Sequence, residues 1–163
     1  MAIDKSKFIE QFKAETVEHI QKLNQGLLKL EKKPEKYELL EPLMREAHTI
    51  KGSAMMMGYK RIAEIARSME DGLQSALDKK IIMEKTHYNL LFKCLDSIEL
   101  LLEDEDKVAL EAKGIDEPYF EKIFKGVDLA FSGKKPDEPV EEEKKSVAMS
   151  EDDLTDSLGE LGL

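Results

Sequence analysis

Apolar residues recur at helical spacing in five stretches of this chain, and no stretch alternates apolar and polar positions as a half-buried strand does. The first stretch runs from about Lys5 to Glu31, with Phe8, Phe12, Ile20, Leu23, Leu27 and Leu30 on one side, and Lys32-Lys33-Pro34 ends it. The second begins between Glu38 and Pro42, because proline is tolerated in a first helical turn. Its stripe is Leu43, Ala47, Ile50, Ala54 and Met57, with Gly58 as the stop signal. The third, about Lys60 to Lys79, carries Ile62, Ile65, Met69, Leu73 and Leu77. The fourth, about Glu84 to Glu103, carries Tyr88, Leu91, Leu95, Ile98 and Leu102. A fifth, about Glu117 to Phe131, follows a candidate N-cap at Asp116, has Pro118 in its first turn, and brings Phe120, Ile123, Phe124, Val127 and Phe131. Short links between the second, third and fourth stretches favour antiparallel neighbours. The expected fold is all-α: an antiparallel up-down four-helix bundle with an additional fifth, C-terminal helix.

The pattern stops near Gly133, and the charge changes with it. Residues 134–163 hold four lysines and ten acidic residues, a net of -6 out of -10, so the preceding 133 residues carry only -4. The expected division is a helical bundle over 1–133 and an acidic linker or tail over 134–163 that buries too little surface to fold alone. Leu154, Leu158 and Leu161 recur at i, i+4 and i+7 within that tail, which leaves open a short helix formed on a partner. An acidic chain is a poor match for nucleic acid or an anionic membrane. No apolar run approaches the roughly 20 residues of a membrane span, and Met1-Ala2-Ile3-Asp4-Lys5 lacks the apolar region of a secretory signal. The single cysteine, Cys94, forms no internal disulfide and fits a reducing cytoplasm. Its helical position reads as a buried small hydrophobe.

The candidate chemistry lies in Arg45-Glu46-Ala47-His48-Thr49-Ile50-Lys51-Gly52-Ser53-Ala54. His48 falls one position off the apolar stripe, and Lys51 and Gly52 follow at i+3 and i+4, on the same helical face. A histidine's ordinary pKa near 6.5 leaves much of it neutral at cytoplasmic pH, with one bare ring nitrogen. A carboxylate that accepts the Nδ1 proton fixes the tautomer, turns the Nε2 lone pair outward and stabilises positive charge as a bond forms. Glu70 is the leading candidate, because it sits beside the core residue Met69 as His48 sits beside Ala47; Glu64, nearly two turns away, is the other. Lys51 is placed to offset charge on phosphoryl oxygens. Gly52 costs about 1 kcal/mol relative to alanine in a helix interior, which points to a close approach to the backbone. Arg67, Asp71 and Gln74 share the Glu70 face and are candidates for orienting a donor or acceptor protein. Taken singly, each has an ordinary reading: a rim histidine, a solvated lysine, an exposed acid, a glycine packed tightly between helices. Together they supply complementary roles at one place.

These residues resemble a histidine phosphotransfer (HPt) domain. The match is Ala47-His48-Thr49-Ile50-Lys51-Gly52-Ser53-Ala54 followed by Met57-Gly58-Tyr59, where the family reads His-x-x-Lys-Gly and then a Gly-aromatic or Gly-aliphatic step. The first helix is similar too, and the whole is most like the N-terminal phosphotransfer domain of CheA-type chemotaxis histidine kinases, over about residues 5–131. By that resemblance His48 is the phosphorylated residue, Glu70 hydrogen-bonds its ring, and Lys51 and Gly52 fill the motif positions. The phosphoryl group comes from a separate ATP-binding kinase domain, in the same parent chain or in trans, and passes to an aspartate of a response-regulator receiver. Two departures bear on partner choice: Met55, Met56 and Met57 follow where small residues are common, and Arg67 stands where a second histidine is common. The chain has no glycine-rich phosphate loop. No cofactor is expected for the domain itself, since magnesium and ATP belong to its partners, and the domain is expected to be monomeric.

Two competing readings remain at this point. A di-iron helical bundle needs two Glu-x-x-His pairs and two further glutamates, and only Glu84-Lys85-Thr86-His87 fits, while Glu15 and His19 lack a partner set. A non-catalytic helical docking module needs His48 to be inert. His19 and His87, without Lys-Gly neighbours, are expected to be structural or merely exposed.

Overall fold

The computed structural model describes residues 5–103 and 107–132, and among these every regular element is helical. In chain order they are α1 (Lys5–Lys32), a 3₁₀ turn (Tyr37–Leu39), α2 (Leu40–Met57), α3 (Lys60–Leu77), α4 (Lys85–Glu103), α5 (Lys107–Ala112) and α6 (Glu117–Phe131). The residues of the acidic tail, 134–163, lie outside the described part.

Local chemistry sets the boundaries. Gly58 ends α2 in the left-handed region at φ 85°. Its N–H reaches Met55 O at 3.2 Å, and the Tyr59 N–H reaches Ala54 O at 2.8 Å. Those two bonds satisfy carbonyls that the helix end would otherwise leave bare. Asp116 caps α6, its Oδ1 accepting the Tyr119 N–H at 3.0 Å, with Pro118 in the first turn.

The two-residue turn Gly58-Tyr59 folds α3 straight back along α2, and α1 packs on α2 from the other side. α4 closes the bundle against α1 and α3, and α6 covers the α3–α4 seam. Cross-helix bonds give the direction of α6: His87 near the start of α4 meets Ala130, and Ser97 further along meets Tyr119, so the two helices run antiparallel. The expected stripes form the core, where Leu23, Leu27, Ala47, Ile50, Ile65, Met69, Leu73, Leu91, Leu95 and Ile98 are all sealed from solvent. Removing this apolar surface from water is the main stabilising term, at about 25 cal/mol per Å².

Two features differ from the periodicity reading. Phe8, assigned to the α1 stripe, is half exposed. The six-residue α5 lies outside the five periodic stretches, because it buries only Leu110 and is too short to show a period.

Candidate functional site

Ala47 of α2 and Met69 of α3 are completely buried. The next residue in each helix therefore emerges at the rim of the shared seam. Tyr59 lies eleven residues after His48 and eleven before Glu70, so the antiparallel hairpin sets the two side chains opposite one another. His48 Nδ1 is 2.8 Å from Glu70 Oε2, while the imidazole stays exposed, at 63% of its side-chain surface. Lys51 Nζ forms an ion pair with the other carboxylate oxygen, Oε1, at 2.9 Å. Glu70 is thus gripped on both oxygens and is itself only 19% exposed.

Burial opposes ionisation of Glu70, but the Lys51 and His48 contacts outweigh it and hold the carboxyl below its ordinary range. An ionised carboxylate can only accept hydrogen bonds. The proton shared with His48 must then sit on Nδ1, and in the neutral ring Nε2 carries a bare lone pair. Glu64, the other carboxylate considered, is paired with Arg61 at 3.0 Å and takes no part here.

The remaining candidates fall around this pair. Lys51, Arg67, Glu70, Asp71 and Gln74 line one shallow depression together with Met55. Gln74 Nε2 also donates to Asp78 Oδ1 at 2.8 Å. The Arg67 guanidinium enters no ion pair or side-chain hydrogen bond among the described residues. At Gly52 an added Cβ would meet nothing within 4 Å, which rules out tight packing between helices as the reason for glycine there. Beyond Gly52 the same face continues into Met55 and Met56, exposed at 65% and 89%. The Met55-Met56-Met57 run carries no local mark that its first two members extend the open face.

The other histidines are held within the frame. His19 Nδ1 contacts Glu46 across the α1–α2 seam, on the opposite flank of α2 from Glu70. His87 is buried; its Nε2–H donates to Ala130 O at 2.8 Å and its Nδ1 accepts the Glu84 N–H at 2.9 Å. Both ring nitrogens are taken, so the Glu84–His87 pair cannot serve a metal. Among the described residues no group of three or more His, Cys, Asp or Glu side chains is disposed to hold one. Cys94 is buried, and burial pushes its thiol up to about 12.

Fold and site together define a helical bundle organised around one solvent-facing imidazole, held at Nδ1 by a carboxylate of the neighbouring helix. Residues 7–104 match the Hpt domain family, and the chain belongs to that family. It is 31% identical over 101 residues to chemotaxis protein CheA of Bacillus subtilis (strain 168), which covers 62% of this chain and 15% of that protein. It is 30% identical over 99 residues to chemotaxis protein CheA of Listeria monocytogenes serovar 1/2a, covering 61% of this chain and 16% of the relative. Against the gliding motility regulatory protein of Myxococcus xanthus it is 34% identical over 100 residues, with coverage of 61% and 13%. The chain thus spans about one-seventh of the length of these curated relatives. Among solved structures, the solution structure of the histidine phosphotransfer domain of CheA superposes with a TM-score of 0.66 at 26% identity, covering 82% of this chain and 97% of that one. No helix among the described residues is long and apolar enough to cross a membrane.

Proposed function

We propose that this chain is a histidine phosphotransfer domain of a CheA-type signalling system, in which His48 carries a phosphoryl group from an ATP-dependent kinase domain to an aspartate of a response-regulator receiver. The observation that carries this reading is the His48 Nδ1–Glu70 Oε2 contact on an otherwise exposed ring.

In the loading step the Nε2 lone pair forms a bond to the γ-phosphorus of ATP. The bond from that phosphorus to the bridging oxygen breaks, and its electron pair leaves with ADP. The ring keeps its Nδ1 proton and gains positive charge, which the Glu70 carboxylate stabilises in place. In the unloading step a receiver carboxylate oxygen attacks phosphorus, the N–P bond breaks, and its electron pair returns to Nε2. Lys51 keeps Glu70 ionised and adds positive potential near the phosphoryl oxygens. Gly52 leaves the backbone open to the partner, and Arg67, Asp71, Gln74 and the exposed Met55 and Met56 form the surface around it. Methionine suits a face that must accept two different partners, because its side chain repacks readily.

On this reading residues 1–133 are the phosphotransfer bundle, and 134–163 an acidic linker or tail. The domain works as a monomer in the cytoplasm, and ATP and magnesium belong to the kinase that loads it. Incubation with a permissive CheA-type kinase and labelled ATP tests the assignment. The expected result is an acid-labile, alkali-stable label that is absent from His48→Gln. Undiminished labelling of His48→Gln discards it.

A further inference from the structure

α6 lies beyond the residues that match the Hpt family, yet it is fastened to the helix that supplies Glu70. Two attachments do this, and two more tie α6 to α4 beside it. Gly72 of α3 faces Phe131: a Cβ built there would stand 3.1 Å from three atoms of the ring, so the aromatic face rests directly on the α3 backbone. Arg61 of α3 bonds Glu117 and lies over the Phe120 ring at 4.6 Å. His87 of α4 donates to Ala130 O at 2.8 Å and packs edge-on against Phe131 with centroids 4.8 Å apart. The Ser97 hydroxyl donates to Lys93 O, which leaves the Tyr119 hydroxyl to donate to Ser97 at 2.7 Å.

Gly72 is two residues from Glu70, and two residues turn a helix by about 200°. Phe131 and His48 therefore press on opposite faces of one segment of α3. A glycine in a helix interior costs about 1 kcal/mol relative to alanine, and here its missing side chain is the space the ring occupies. Protein interiors transmit strain, because they are close-packed. The segment of α3 that carries Glu70 is thus in contact with Phe131 behind and with His48 in front.

We infer that α6 is a brace for the phosphorylation site, and that Phe131 is a positioning residue that acts through Gly72 and α3 to keep Glu70 on the His48 ring. The inference rests on the phosphotransfer reading of His48. It gives the helix beyond the family match a part in the chemistry, where simple cover for the α3–α4 seam would give it none.

The test uses the full chain and a small phosphodonor, so that no partner surface enters. Phosphoramidate loads Nε2 as its P–N bond breaks and ammonia leaves. Phe131→Ala is expected to slow this loading about three- to tenfold, while Phe131→Leu, which refills most of the space, restores it to within about twofold. In ¹⁵N NMR of histidine-labelled protein, Phe131→Ala is expected to move the His48 Nδ1 and Nε2 resonances toward each other, as the Nδ1–H tautomer loses its hold. In a Glu70→Ala background Phe131→Ala should slow loading no further, because the route runs through Glu70. The inference is overturned by wild-type rate and shifts in Phe131→Ala, or by equal slowing in the presence and absence of Glu70. Should Phe131→Ala fail to fold, Gly72→Ala applies the displacement from the other side and is read by the same rates and shifts. Persistent loading of His48→Gln by phosphoramidate would instead defeat the phosphotransfer reading itself.

Discussion

Replacing Gly52 by alanine should make the protein more stable and worse at its task. Gly52 sits in the interior of α2, five residues before its end, and a Cβ there touches nothing within 4 Å. No packing is gained and no clash arises, so the change in stability reduces to helix propensity. That term favours alanine by about 0.5–1 kcal/mol, partly by restricting the unfolded chain. For a chain of this length it corresponds to a rise in Tm of roughly 1–4 °C. The same methyl group projects from the open face one turn beyond His48, where, on the phosphotransfer reading, a receiver approaches the backbone. Intruding on a fitted contact costs about 1–3 kcal/mol, and each 1.36 kcal/mol is about a tenfold change in rate. Transfer from phosphorylated protein to a receiver should therefore slow by roughly five- to a hundredfold. Thermal unfolding by circular dichroism and single-turnover loss of label to the receiver measure the two effects side by side. A lowered Tm would show that position 52 is packed after all. A raised Tm with unchanged transfer would show that nothing comes close to this backbone.

Two further outcomes follow from the electrostatics. Lys51 and His48 hold the Glu70 carboxyl below its ordinary 4.5, so the stabilisation it provides is complete above that value and is lost as pH falls through the lowered native one. Glu70→Gln should flatten the acid limb of the stability curve below about pH 4.5, and an unchanged slope in chemical denaturation at pH 3–5 would remove Glu70 from that balance. With its thiol pushed up to about 12 and no access to solvent, Cys94 should resist iodoacetamide in the native protein at pH 8 and react only as the chain unfolds; rapid labelling of the folded protein would contradict its burial.

Much of this molecule is written in short-range signals. The stripes of α2, α3, α4 and α6 could be read directly, because a period of 3.6 places every third or fourth apolar residue on one face. Gly58 and Asp116 announce their turns for equally local reasons, a positive φ and a side-chain cap. The meeting of His48 and Glu70 also has a local origin: two residues adjacent to buried anchors on antiparallel helices come together at a rim. What could not be read is what depends on distant partners. Phe8 continues the period of α1 at its very start, yet stands half exposed. Lys51 looked available for phosphoryl oxygens, and only the fold shows its ammonium already on Glu70. Gly72 and Phe131 are 59 residues apart, and neither carries a local mark that the other lies against it.

The central claim concerns one atom, the Nε2 of His48, freed by a proton held on Nδ1. Heteronuclear ³¹P–¹⁵N NMR of the phosphorylated, ¹⁵N-histidine-labelled protein observes it directly. The expected result is phosphorus coupled to Nε2 of His48, with the proton retained on Nδ1. Phosphorus on Nδ1, or on the ring of His19 or His87, would contradict it.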